Sequence, residues 1–102
     1  GSGENQVELV PATGGEPRRF FDLPIDPRTY PRWTPDGRAI DYVRTVHGVS
    51  NIWRQPLEGG PAVQLTDFSD GRITDFARGL DGRLVCARGR ERSDLVLLTL
   101  AQ

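Results

Sequence analysis

The 102-residue chain has no lysine and no methionine, one cysteine and one histidine. A single cysteine, Cys86, cannot build an internal disulfide framework and leaves the redox compartment open. His47 has no cysteine or serine arrangement around it, and neither a G-x-S-x-G elbow nor a phosphate loop occurs. No apolar run approaches membrane-spanning length. Neither sign of charge is in excess. Thirteen basic and fourteen acidic residues give a net charge of −1, which offers no reason to expect nucleic acid or an acidic membrane surface. All the basic residues are arginine, as GC-rich coding produces, and no function follows from that. The opening Gly1-Ser2-Gly3 reads as an expression scar at 1–3, outside the fold. At this length the chain holds at most one ordinary domain.

Helical periodicity is also missing: no segment keeps a 3.6-residue period for three turns. What the chain has instead is punctuation. Twelve glycines and eight prolines break it at roughly 8–12-residue intervals, and β-branched and aromatic residues fill the runs between. The stretch 30–66 reads as one four-stranded unit, with turns at Pro35-Asp36-Gly37-Arg38, at His47-Gly48 and at Glu58-Gly59-Gly60-Pro61.

The unit repeats. Asp36-Gly37-Arg38 returns as Asp81-Gly82-Arg83, and Gly14-Gly15 returns as Gly59-Gly60, each 45 residues later. N-I-W-R-Q-P-L at 51–57 matches D-L-V-L-L-T-L at 94–100 with an offset of 43, which predicts a second hairpin two residues shorter. A period near 45 with four strands per unit is the signature of a β-propeller blade. Nine strands are expected, at 6–12, 17–21, 29–34, 38–45, 51–57, 62–66, 72–78, 83–88 and 94–100. The fold is therefore all-β: four-stranded antiparallel blades, about two per chain. A partial blade spans 4–28, a complete central blade 29–66 and a partial last blade 67–102.

W-T-P-D-G-R at 33–38, N-I-W-R-Q-P-L-E-G-G at 51–60 and Q-L-T at 64–66 resemble the TolB-type WD-like propeller repeat. Copies of that repeat run W-S-P-D-G-K, I-Y-V-M-D-L-D-G-G and R-L-T. The resemblance covers nearly the whole chain after the scar. S-D-L-V-L-L at 93–98 is similar to the C-termini of large bacterial proteins that carry such repeats behind a kinase or DNA-binding domain. It implies the last blades of a longer bacterial protein. If that parent spans a membrane, the repeats would be its extracytoplasmic sensor. The last copy departs from the pattern: Trp33, Thr34 and Pro35 become Arg78, Gly79 and Leu80. Its turn is expected to be less ordered or to face different neighbours.

Two blades leave two sheet faces bare, so a longer chain or further copies must cover them. Head-to-tail contacts close into rings, and propellers have about four to eight blades. Because TolB-like propellers commonly have six, a homotrimer is the favoured oligomer, with dimer and tetramer open. In such a ring 6–12 and 94–100 compete for one strand position. The second is more apolar and lacks Pro11, so residues 4–12 are expected to be displaced.

The candidate site residues are structural. Pro35, Asp36 and Gly37, with Asp81 and Gly82, reverse the chain. Trp33 and Trp53 are expected to fill space between blades, and in strand 38–45 Ile40 and Tyr42 alternate toward one face, with Val85 and Ala87 as their counterparts. His47 reads as an exposed loop residue and Cys86 as buried filler. Asp67, Asp70 and Asp75 match no cation-loop spacing and serve as turn residues. Arg88, Arg90 and Arg92 read as a charged hairpin tip. No cofactor, metal or catalytic residue is expected. The functional reading is a non-catalytic scaffold that binds protein or ligand through loops 22–28, 67–71, 46–50 and 89–93. The alternative is the gating propeller of a prolyl-oligopeptidase-like hydrolase, and a third reading is a fragment engineered to assemble from two blades.

Overall fold

The computed structural model describes residues 5–10, 12–16, 19–79, 81–89 and 96–101. Three antiparallel sheets follow one another along the chain. Sheet one pairs β1 (Asn5–Leu9) with β2 (Arg19–Leu23). Sheet two runs β3 (Arg32–Trp33), β4 (Ala39–Val46), β5 (Val49–Pro56) and β6 (Val63–Gln64). Sheet three runs β7 (Arg72–Arg78), β8 (Leu84–Gly89) and β9 (Val96–Ala101). Within each sheet the strands pair in sequence order, and among the described residues there is no helix.

Turn chemistry sets these strands. Gly14, Gly15, Gly59 and Gly60 all have positive φ, between 86° and 107°, a region that L side chains avoid. The 45-residue repeat is thus a repeat of backbone conformation. His47 (φ 51°) and Gly48 (φ 80°) form the two-residue link between β4 and β5, with the paired positive angles of a type I′ turn. Two strands are shorter than expected. Pro31 and Pro35 bracket β3 and donate nothing to a ladder, so 29–34 shrinks to Arg32–Trp33. The edge strand 62–66 shrinks to Val63–Gln64 because the Thr66 hydroxyl, not a backbone carbonyl, accepts from Ile52 N at 2.9 Å.

The last turn is tighter, and its Leu80 lies outside the described residues. In sheet two Thr34 N donates to Ala39 O (3.0 Å), and Ala39 N donates back to Thr34 Oγ1 (3.1 Å). In sheet three Gly79 N donates to Arg83 O (2.6 Å), one residue sooner. Gly79 has no hydroxyl to hold the wider loop. The register slips with it: Trp33 pairs with Ile40, while Arg78 pairs with Leu84, 44 residues after Ile40 and not 45. A one-residue slip exchanges the faces of a strand. Leu84 and Cys86, not the expected Val85 and Ala87, therefore take the places of Ile40 and Tyr42. The ladder from β8 to β9 shows no two-residue deletion: at the slipped register Arg44↔Asn51 becomes Arg88↔Leu97, a longer span and not a shorter one. The hairpin itself, 90–95, lies outside the described residues.

The sheets stack through two cores. Val43, Ile52, Ile73, Phe76, Leu84 and Cys86 fill the space between sheets two and three, with Leu65 and Phe68 at its edge. Leu23, Ile25 and Tyr42 pack between sheets one and two, with Val7, Phe21 and Trp53 against them. Residues 39–43 of β4 are buried on both faces, because each face meets a different sheet. Full burial of a side chain of this size is worth roughly 1.5–3 kcal/mol, so these two layers are what hold the sheets together. The expected displacement of 4–12 concerns a ring of copies, and a single chain has no competitor for that strand position. Asn5–Leu9 holds a five-residue ladder, and Val7 joins the core.

Candidate functional site

The loops that join successive sheets gather on one side with the β4–β5 hairpin. Their anchor is Asp26, buried with its carboxylate filled. Arg28 donates from its backbone N (2.9 Å), Nε (3.0 Å) and a terminal guanidinium nitrogen (3.0 Å), and Thr45 donates its hydroxyl at 2.6 Å. Thr45 has one proton, so in its 2.7 Å contact with Ser50 the serine must donate. Ser50 N in turn donates to Gly71 O at 2.9 Å, which ties in the next loop. Burial alone would raise the Asp26 pKa. The bonds from Arg28 and Thr45 overcome it and bring the group down to about 2.

Loop 67–71 is pinned from two sides. Asn51 accepts at Oδ1 from Thr66 Oγ1 (2.8 Å) and Phe68 N (2.6 Å), and its amide donates to Phe68 O (3.2 Å). Arg88 stacks on the Phe68 ring at 3.7 Å and donates to the Asp70 backbone (2.8 Å) and carboxylate (3.0 Å). Arg88 is therefore not the hairpin-tip charge expected: its side chain is 11% exposed and braces a loop. Arg90 and Arg92 lie outside the described residues.

Two recesses open on this side. One, of about 350 Å³, is lined by His47, Gly48, Ser69, Asp70 and Arg72. The other, of about 360 Å³, is lined by Ile25, Asp26, Arg28, Thr45 and again Arg72. Arg72 is exposed, and no carboxylate among the described residues pairs with it. The two recesses thus share Gly48 and the exposed Arg72 between polar and apolar linings.

On the opposite side lies a smaller recess, about 240 Å³, lined by Thr34, Pro35, Asp36, Ala39, Arg54 and Arg78. Here Asp41, 1% exposed, accepts from Arg54 at 2.7 and 2.9 Å and from Arg78 at 3.0 Å. Asp41 holds the Arg54 pKa above its usual value.

The residues singled out from sequence are spread over the scaffold. Pro35, Asp36 and Gly37 form the turn between β3 and β4, where the Thr34 hydroxyl donates to Asp36 at 2.6 Å and lowers its pKa. Asp81 and Gly82 form its tighter counterpart, with Arg83 N donating to Asp81 at 3.1 Å. Ile40 and Tyr42 are buried, and Trp53 packs beside Tyr42 with the Arg44 guanidinium 5.2 Å from its ring. Trp33 is not packed between sheets in this chain; it is 61% exposed. His47 is exposed at its hairpin, and Cys86 is fully buried, with its thiol pushed up by burial. Asp70 and Asp75 do not converge; they meet Arg88 and Arg32 respectively. Asp26, Asp41, Asn51 and the Thr45–Ser50 pair were missed. Asp41 carried a signal, a lone carboxylate inside an apolar strand, and the others carried none.

No family model and no solved structure matches the chain. It is similar to a protein named Tricorn protease homolog 1 from Streptomyces coelicolor, at 35% identity over an 86-residue alignment that covers 80% of this chain and only 8% of that protein.

Proposed function

We propose that this chain is a segment of a β-propeller and acts without catalysis, as a scaffold that binds protein or ligand through the loop surface around Arg72. The observation that carries the reading is the stacking of the sheets. Each follows the last by about one 45-residue unit, and sheet two is covered on both faces, as a blade is by the blades beside it. The likeness of its motifs to the TolB-type repeat supports the same view. Among the described residues no further sheet covers the outer faces of sheets one and three, so other blades must complete the ring. Three copies contributing two blades each is the favoured closure, ahead of two or four.

Sedimentation equilibrium tests this. Three times the monomer mass is the expected result, and a monomer at every concentration would remove the self-assembly. Hydrolysis of a peptide library by the purified chain would remove the non-catalytic reading.

The similarity to Tricorn protease homolog 1 favours a second reading, in which the repeat belongs to the propeller of a protease-related polypeptide. That is close to a gating propeller of the prolyl-oligopeptidase kind. The other blades would then come from the same polypeptide, and the isolated chain would stay monomeric. Peptidase activity in the full-length polypeptide, lost when this segment is deleted, is its expected result.

A further inference from the structure

We infer that a second copy of this chain docks on the outer face of sheet three by setting its Trp33 against Val85, in the relation that Arg78 bears to Asp41 inside one chain. The inference rests on the ring reading above and specifies its seam.

The internal seam is the template. Arg32 and Asp41, paired across β3 and β4, face sheet three. Arg32 donates from Nε to Phe76 O at 2.8 Å, and Asp41 receives Arg78 at 3.0 Å. One unit on, the pair that corresponds to Arg32↔Asp41 is Ala77↔Val85. Val85 alternates with the buried Leu84 and Cys86, so it faces away from sheet two. The counterpart of Arg78, one unit back, is Trp33.

Trp33 lies where such a contact is missing. Among the described residues sheet one has two strands, and they cover the Tyr42 and Trp53 part of sheet two. The part toward β3 is left open, with Trp33 61% and Tyr30 85% exposed. The strands absent there are the two inner ones, which β7 and β8 of another copy would supply.

The chemistry changes in concert between the two seams. Arginine 32 becomes Ala77, Asp41 becomes Val85, and Arg78 is matched by Trp33. The ionic contacts of Arg32, Asp41 and Arg78 thus give way to the uncharged Ala77, Val85 and Trp33. A large indole over small alanine and valine also fits in size. A buried tryptophan of this kind typically dominates an interface.

The test is a swap. Trp33→Arg and Val85→Asp should each weaken self-association at least ~tenfold by sedimentation velocity. The double variant rebuilds the inner pair at the outer seam, so it should recover the wild-type mass and become sensitive to salt. Far-UV circular dichroism checks that each variant keeps its strands. Single variants that keep the wild-type mass would overturn the seam while leaving a ring standing. A folded double variant that stays dissociated would overturn it as well. A wild-type chain that is monomeric throughout would remove both the ring and its seam.

Discussion

Arg78 of β7 reaches from sheet three to Asp41 of β4 in sheet two, at 3.0 Å, on a carboxylate that is 1% exposed. Arg54 fills the other side of the same group. A buried carboxylate is tolerable only when its partners are in place, and removing one half of such a pair costs more than the pair itself contributes. Asp41→Ala should lower stability by about 3 kcal/mol in urea unfolding, the low end for a buried ion pair. The reason is that both guanidinium groups stay partly exposed, at 35% and 26%, and water can satisfy them. Arg78→Ala should cost less, about 1 kcal/mol, since Arg54 still neutralises the carboxylate. A loss below about 0.5 kcal/mol for Asp41→Ala would mean that the cluster does not hold the two sheets together.

The slipped register of sheet three gives a prediction opposite to the one that alignment gives. Alignment makes Val85 the counterpart of Ile40 and hence buried. In the structure Leu84 is 2% exposed in the core and Val85 faces outward. Leu84→Ala should cost about 2–5 kcal/mol and Val85→Ala under about 1 kcal/mol in a monomeric background such as Trp33→Arg. Equal losses, or the reverse order, would restore the alignment register.

That contrast marks what was legible in the residues. Glycine and proline pairs fix turns locally, so all nine strands could be placed to within a few residues from Gly14-Gly15, Pro35-Asp36-Gly37 and their repeats. Which face a strand presents depends on a single residue of turn length, here the exchange of Thr34 for Gly79, and local pattern does not resolve it. The loop surface was found as a set of segments, but its order was hidden. Asp26 meets Thr45 19 residues away, and Arg88 meets Asp70 18 residues away. Such contacts depend on the stacking of sheets and leave no mark at short range.

Asp26 makes the stability of the loop surface depend on acid. Its folded pKa, about 2, lies below the unfolded value of 3.8. A depressed carboxylate stabilises the fold fully above its unfolded pKa and loses that contribution as pH falls through the folded one. The loss should therefore fall between about pH 4 and pH 2, and amount to roughly 2 kcal/mol. Arg28 is 60% exposed, so salt should shrink it. Asp26→Asn removes this dependence. A wild-type and variant difference that stays flat across the window would show that the carboxylate is not the titrating group.

The hairpin at 47–48 is held in a strained angle by a residue poorly suited to it. A type I′ turn favours asparagine followed by glycine, and His47 sits at φ 51°. His47→Asn should raise stability by about 0.5–1 kcal/mol, whereas His47→Val, β-branched at a positive angle, should lower it by about 1–2 kcal/mol. Thermal unfolding followed by circular dichroism reads both. Unchanged ligand binding in His47→Asn would further mark the imidazole as a bystander on the loop surface.

The two terminal strands set the last prediction. β1 pairs with β2, and β9 pairs with β8, so each is satisfied within its own chain. In a ring of copies, sheet three of one chain meets sheet one of the next. Its three strands plus β1 and β2 make five where a blade holds four. One of the two must leave. V-L-L-T-L-A of β9 is more apolar and more prone to strand formation than N-Q-V-E-L of β1. β9 should then take the place beside β2 and β1 should be released. Deleting residues 1–12 should therefore leave the assembly intact or tighten it, because no ladder has to open first. Deleting residues 94–102 should give a monomer. Sedimentation velocity of the two truncations decides the matter: a monomeric N-terminal truncation beside an assembled C-terminal one would mean that β1 keeps its place and β9 yields.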